Sequence, residues 1–573
     1  MGCSSTKNLS SIIGAPLEKH DPVSGPINTS SPHRETRSIE NCIVIWLVAS
    51  STITTHKNIA EKLRQIISIL KIFNNPTECI TFIENIREEK VFLIVSPEME
   101  QAIRSVHYLS QLEKIYIFSL SFQKIETIDD QIIQTRIFSD INELCEQIHQ
   151  DVKFCELDLI NIIVVPTEIQ STTFSAKQIA MFTCIQLVKK IALRIKFESE
   201  HKDVFLDFCR PYYVSNEEQM QYLEDFENNY RPKNVLWWIT KPCFLSKILH
   251  RVLRTYEIDI IYKMGFIVRH IHTQLTLLHE NIFSLFTDRS IVYRGKTMPN
   301  DEFDILIKNN CGGILSFSNF LTASIHKKDA MDFIQQRLIT HPKMAAILFE
   351  ICLDLTIRST ANVCAIINNL NSNMKSEEGE ICFTMGTVFR IQSVEQVTDN
   401  STNIWIVKLT FVDDNDQQFY RLVAPLRTND VDTNPLSYLG KLLIEMGASE
   451  RAEQFYLDLQ TDPSVFNQPR RLARLQNGLG LIFTYKGDHM KALEHYHISL
   501  KTTLSYMSPD HPDLASIYKS IGDSYRNTHN YIQALANYEH SAQLLKDDQH
   551  SIIDLNDCII KTKQLLELNK QQC

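Results

Sequence analysis

Three segments near the end of the chain line up with one another: YLGKLLIEMGASERAEQFY, GLGLIFTYKGDHMKALEHY and SIGDSYRNTHNYIQALANY. Gly440, Gly480 and Gly522 are 40 and 42 residues apart (480 − 440, 522 − 480), and Ala452, Ala492 and Ala534 keep those spacings, as do Tyr456, Tyr496 and Tyr538. Small residues recur where two helices touch, and an aromatic four places after each alanine returns to the same helical face. Residues 435–573 are therefore expected to stack as helix pairs, an all-α array whose concave face takes a peptide or a partner protein.

A chain of 573 residues is too long for one core and divides into several units. Its 44% hydrophobic and 22% charged residues sit near the globular average, so most of it can bury a core. The net charge of −10 gives no general footprint for nucleic acid. The 14 cysteines are scattered, without CxxC pairs, which favours a reducing compartment and argues against a structural zinc site; no metal is expected. No apolar run is long enough to span a bilayer.

The opening MGCSSTK fits an N-myristoylation pattern at Gly2, with Cys3 beside it as a palmitoyl acceptor. One acyl chain anchors marginally and two anchor stably, so the expectation is a cytoplasmic protein held on the cytosolic face of a membrane. Residues 1–40, rich in Ser, Thr and Pro, read as a disordered tether. From Asn41 short apolar runs (CIVIWLVAS, ECITFI, KVFLIVS, KIYIFSL) alternate with amphipathic stretches, which predicts an α/β doubly wound domain over 41–150, receiver-like or flavodoxin-like in outline. No Gly-rich phosphate loop and no acidic pair follow its first strand, so a structural or partner-binding role is expected. Residues 151–229 read as a mainly helical connector, with one more apolar run, INIIVV.

The chemistry is concentrated in residues 230–425. The stretch WWITKPCFLSKILHRVLR carries Phe244, Ile248 and Val252, with Leu245, Leu249 and Leu253 beside them, the stripe of a core-facing helix. In SIVYRGK an extended backbone puts Ile291 and Tyr293 on one face and Arg294 on the other, while Gly295 permits close approach of a ligand. A guanidinium there suits bidentate binding of a pyrophosphate. SFSNFLTAS follows, with Phe320, Thr322, Ala323 and Ser324, and then SEEGEICFTMGTVFRI, in which Glu378 and Glu380 project from one face of an extended strand while Ile381 and Phe383 anchor the other.

A strand arginine, a hydroxyl run and paired carboxylates, in that order and within 86 residues (380 − 294), resemble the arginine-specific mono-ADP-ribosyltransferase family, NAD(P)(+)-dependent transferases. The resemblance implies a central α+β ADP-ribosyltransferase fold and NAD as substrate, with Arg294, Gly295, Thr322 and Ser324 holding the dinucleotide. It implies that Glu380 stabilises the ribosyl cation and that Glu378 prepares an arginine acceptor on a protein. Where the family has Ser-Thr-Ser, this chain has Thr322, Ala323 and Ser324. The C-terminal array resembles tetratricopeptide repeats with the longer period of the kinesin light chain type. The expected protein is a membrane-tethered transferase whose targets are chosen by the repeats; the rivals are a weak or inactive scaffold that binds partners through the repeats, and an NAD glycohydrolase.

Overall fold

The computed structural model describes residues 38–49, 57–66, 68–106, 108–119, 136–167, 173–194, 199–285, 289–354, 362–367, 380–399, 402–427, 435–460, 468–545 and 549–572. The expected tether up to residue 37, with Gly2 and Cys3, lies outside them, as does Glu378.

The N-terminal runs form a five-stranded parallel sheet: β1 (Cys42–Leu47), β2 (Leu70–Phe73), β3 (Lys90–Val95), β4 (Leu112–Phe118) and β5 (Arg136–Phe138), in the order β2-β1-β3-β4-β5. Alternate residues of β1 serve two cores. Val44 and Trp46 pack with Leu63 of α1 (Lys57–Ile66) and Leu144 of α4 (Ile141–Asp158). Ile43 and Ile45 pack with Ile83 of α2 (Pro76–Asn85) and Ile103 of α3 (Ile103–Val106). Both faces are covered, which is why these strands read as unbroken apolar runs and not as alternating ones.

The segment expected to be a connector is not a separate unit. Its INIIVV run becomes β6 (Ile162–Val165), an edge strand of the central sheet that pairs antiparallel with β8 (Ile314–Phe317). Helices α5 (Thr173–Arg194), α6 (Ser199–Tyr213) and α7 (Glu217–Asn229) share one core with α8 (Val235–Thr240), α9 (Phe244–Thr255), α10 (Ile258–Lys263) and α11 (Gly265–Leu285). The expected stripe on α9 is buried throughout, from Phe244 to Leu253.

The central sheet is mixed, in the order β11-β12-β9-β7-β10-β14-β13-β8-β6. Its remaining strands are β7 (Arg289–Met298), β9 (Leu321–Ser324), β10 (Ala345–Asp354), β11 (Cys364–Ile367), β12 (Glu380–Phe383), β13 (Val388–Asp399) and β14 (Thr402–Phe411). Helix α12 (Asn300–Leu306) follows β7, α13 (Lys327–Thr340) follows β9, and α14 (Gln417–Val423) follows β14.

Among the described residues seven helices close the chain: α15 (Pro435–Glu445), α16 (Ser449–Gln460), α17 (Pro469–Tyr485), α18 (His489–Leu504), α19 (Leu514–Asn527), α20 (Tyr531–Leu544) and α21 (Gln549–Gln572). The recurring glycine and tyrosine are partners across each helix pair. A Cβ on Gly440 would lie 2.1 Å from the Tyr456 ring, one on Gly480 2.5 Å from Tyr496, and one on Gly522 2.7 Å from Tyr538. The recurring alanines are fully buried at the same contacts. We predict that Gly480→Val destabilises the protein by about 1–3 kcal/mol, because overpacking outweighs the small gain in helix propensity. Urea unfolding followed by far-UV circular dichroism checks this; an unchanged midpoint would refute the contact.

Candidate active site

Three of the strands in the central sheet bring the expected polar residues together. β12 runs antiparallel to β9, with Glu380 opposite Ser324 and Cys382 opposite Thr322, and β9 meets β7 where Ser324 lies opposite Tyr293. Residues directly opposite share a face, so Thr322, Ser324 and Glu380 project from the same side. Ile381 and Phe383 enter the apolar core on the other side, as the alternation predicts, and leave Glu380 exposed at the start of its strand.

Arg294 reaches this group from β7. Its Nη1 donates to Thr322 Oγ1 at 3.4 Å, its Nη2 donates to the Leu157 carbonyl, and its guanidinium lies 5.7 Å from the Phe333 ring centre. Burial lowers its pKa, against the opposing pull of Asp158 and Glu380. Arg294 and Glu380 therefore feel one another's charge across the strands that separate them in sequence.

Two expected ligands have other work. A Cβ on Gly295 would stand 2.4 Å from the Ala330 carbonyl oxygen and 3.0 Å from Ile334 Cγ1. The close approach that requires glycine is that of helix α13, whose backbone packs onto β7; the expected ligand face is occupied by protein. The Ser324 hydroxyl donates to Asp329 Oδ2 at 2.5 Å and accepts from the His326 amide at 2.9 Å, which fixes the turn into α13.

Other residues around Arg294 were not apparent from motifs. Asp158, at the end of α4, accepts from the Thr297 amide at 3.1 Å, from Thr297 Oγ1 at 2.6 Å and from Arg337 Nε at 3.1 Å. An acid in the last turn of a helix opposes the helix dipole, and that local oddity is the one signal that could have marked it. His250 on α9 is held to the site from behind: Asn319, just before β9, donates through Nδ2 to the His250 carbonyl at 3.1 Å. Its Nδ1 is buried with no hydrogen-bond partner, and burial, with Arg294 adding to it, lowers its pKa to about 4. His272 on α11, whose Nδ1 lies 3.0 Å from Thr384 Oγ1, is also lowered to about 4, by burial and then by Lys189. Among the described residues no group of three or more His, Cys, Asp or Glu could hold a metal ion, and no helix is long and apolar enough to cross a membrane.

Residues 471–547 match the tetratricopeptide repeat family, which supports protein interaction through the C-terminal helices. No curated protein matches the chain. Among solved structures it is similar to BtubC (BKLC) from P. vanneervenii, with 20% identity, 26% of this chain and 65% of that chain covered, and a TM-score of 0.22. The chain thus spans just under two thirds of that protein. It is also similar to C3larvin toxin, an ADP-ribosyltransferase from Paenibacillus larvae, with 13% identity, 35% of this chain and 94% of that chain covered, and a TM-score of 0.22. The enzymatic component C2-I of the C2-toxin from Clostridium botulinum gives 15% identity, 35% and 46% coverage, and a TM-score of 0.20.

The two histidines give the stability of the chain a pH dependence of definite sign. Above pH 6.5 both are neutral folded or unfolded and add nothing; as pH falls from 6.5 towards 4, the unfolded chain binds protons that the folded one refuses, and stability falls. We predict that His250→Gln flattens the loss of stability between pH 7 and pH 5, measured as urea midpoints at both values. An equal loss in parent and variant would show that His250 is not held neutral.

Proposed function

We propose that the chain is a mono-ADP-ribosyltransferase that moves ADP-ribose from NAD to arginine side chains of proteins, releasing nicotinamide. The observation that carries the reading is the meeting of Arg294, Thr322 and Glu380 from three strands, with the arginine bonded to the hydroxyl and within electrostatic reach of the carboxylate. These are the residue types the chemistry needs. A buried guanidinium with donors to spare binds the pyrophosphate, and the exposed Glu380 carboxylate stands where a ribose can meet it. Breaking the bond to nicotinamide develops positive charge on that sugar, and a fixed negative group beside it lowers the barrier. The acceptor guanidinium is protonated and a poor nucleophile, so Glu378 takes up its proton as it attacks.

In this reading Thr322 supplies the hydroxyl at the nicotinamide ribose, and Gly295 and Ser324 shape the site at second hand, through α13. The N-terminal unit, read as a doubly wound domain, packs against the transferase. The repeats select the arginine-bearing protein on a surface that needs no NAD. Acylation at Gly2 and Cys3 places the enzyme on the cytosolic face of a membrane.

Two glutamate variants test the division of labour. Glu380→Gln should lose nicotinamide release, by several kcal/mol of transition-state stabilisation, since a neutral amide cannot offset the developing charge. Glu378→Gln should still release nicotinamide from NAD while failing to modify an arginine mimic, water replacing the acceptor. Nicotinamide release and arginine modification are measured side by side, with folding checked by thermal unfolding. Full activity in Glu380→Gln would remove the transferase reading, and parallel loss of both activities in Glu378→Gln would remove the acceptor role.

Gly2→Ala blocks the first acylation. We predict that this variant moves from the membrane fraction to the soluble one; an unchanged distribution would sink the anchor.

A further inference from the structure

The arginine at the centre of the candidate site is not held by the central sheet alone. α4 belongs to the N-terminal α/β unit, and its last turn ends against β7. The Leu157 carbonyl accepts from Arg294 Nη2, and the next carbonyl, of Asp158, accepts from Lys296 Nζ at 2.6 Å. These are two of the carbonyls that a helix leaves unsatisfied at its C-terminus, and the dipole makes that end a natural partner for cations.

Asp158 keeps the helix end in register with the strand. Its carboxylate, 7% exposed, takes the Thr297 amide, the Thr297 hydroxyl and Arg337 Nε. Arg337 is tied in turn to Glu113 at the start of β4, which also takes His341 Nε2 at 3.0 Å. One turn back on α4, Phe154 packs on Phe333 of α13 with ring centres 4.7 Å apart. A carboxylate at a helix C-terminus opposes the dipole. Its retention here is explained by the cations it faces, Lys296, Arg337 and Arg294.

We propose that Asp158 is a positioning residue of the dinucleotide site: by fixing the end of α4 on β7, it sets the guanidinium of Arg294 so that its free donors face a pyrophosphate. This rests on the transferase reading above. A guanidinium has five N–H donors in a rigid fork. Thr322 holds it at Nη1 and the Leu157 carbonyl at Nη2. The plane of the fork is then fixed before a ligand arrives, and other N–H groups remain for phosphate oxygens. Preorganisation of this kind strengthens binding without adding a contact. The N-terminal unit, which carries no motif chemistry of its own, thereby contributes to a site otherwise built by the central sheet.

The sign of the effect separates positioning from charge. Asp158→Asn removes a negative charge beside the site, so charge alone predicts tighter binding of an anion. Release of Arg294 from a blocked state predicts the same. Positioning predicts weaker binding. The experiment uses the full chain, with ADP as the pyrophosphate probe in titration calorimetry, nicotinamide release from NAD, and thermal unfolding as the check on folding. Asp158→Asn should bind ADP about tenfold more weakly at unchanged stoichiometry, with KM for NAD rising in step and kcat within about twofold. Thr297→Val, which removes one donor to the carboxylate and keeps all charges, should shift binding the same way by less, and it carries the test if Asp158→Asn does not fold.

Unchanged or tighter ADP binding in the folded variants overturns the inference. So does reduced stoichiometry with an unchanged Kd, the mark of a purely structural role. A parent chain that binds no ADP overturns this inference together with the site. A parent that binds ADP with the expected dependence on Asp158 but releases no nicotinamide overturns the transferase reading and leaves the placement of Arg294 standing.

Discussion

The arrangement depends on a set of buried and half-buried arginines that end on carbonyls and carboxylates of distant segments. Arg251 and Arg254 leave the last turn of α9 towards the N-terminal unit. Arg251 donates from Nε to Glu257 Oε1 at 2.9 Å and from Nη1 to the Glu40 carbonyl at 2.8 Å, and it pairs with Glu89 at 3.0 Å. Arg254 donates to Asn41 Oδ1 at 3.0 Å and to the Glu88 carbonyl at 2.7 Å. Arg451, on the second helix of the repeat region, donates to Glu88 Oε1 at 2.6 Å and to the Thr255 carbonyl. The turn at Glu88 and Glu89 thus receives cations from both α9 and the C-terminal helices. Within this set the Arg251–Glu257 pair is buried, and removing one member of such a pair costs about 3–5 kcal/mol because the partner is left charged and dry. Three regions that sequence texture separates are joined through groups that none of them could bury alone.

The same logic continues along β7. Arg294, Lys296 and Thr297 are successive or alternate residues of one strand, and all three engage α4 or its last residue. The strand that carries the candidate pyrophosphate ligand is also the strand on which the N-terminal unit rests. On its other side Gly295 admits the backbone of α13 at a distance that no side chain would permit. The placement of Arg294 and the docking of the α/β unit consequently share one guanidinium.

What could be read from the chain alone was what is encoded locally. The unbroken apolar runs of β1, β3 and β4 report burial on both faces, and the 40- and 42-residue recurrence reports the contact of glycine with tyrosine in successive helix pairs. Thr322, Ser324 and Glu380 are legible as one face because strand alternation fixes which side chains share it, whereas Arg294 alternates with Tyr293 and joins them only through its reach to Thr322 Oγ1. INIIVV reads from sequence only as one more apolar run inside a connector, since nothing in it records that its partner, β8, begins 149 residues later (314 − 165). Asp158 and Leu157 were invisible for the same reason. Their partners lie 137 to 179 residues away, and a hydrogen bond of that span leaves no periodicity behind.

The departure from the family pattern at the hydroxyl run is best judged from where each residue sits. Ala323 lies opposite Ile381 and is 2% exposed, within the apolar core shared by Phe383 and Leu321. A threonine there would bury a hydroxyl among hydrocarbons, and one left unpartnered costs about 1–3 kcal/mol. The alanine is therefore explained by packing on the face that points away from Glu380. Thr322 is the departure that touches the chemistry, and it keeps the oxygen that Arg294 uses while adding a methyl that stiffens χ1. The strand is thus apolar at its middle residue on the core side, while the hydroxyls on either side of it engage Arg294 and Asp329.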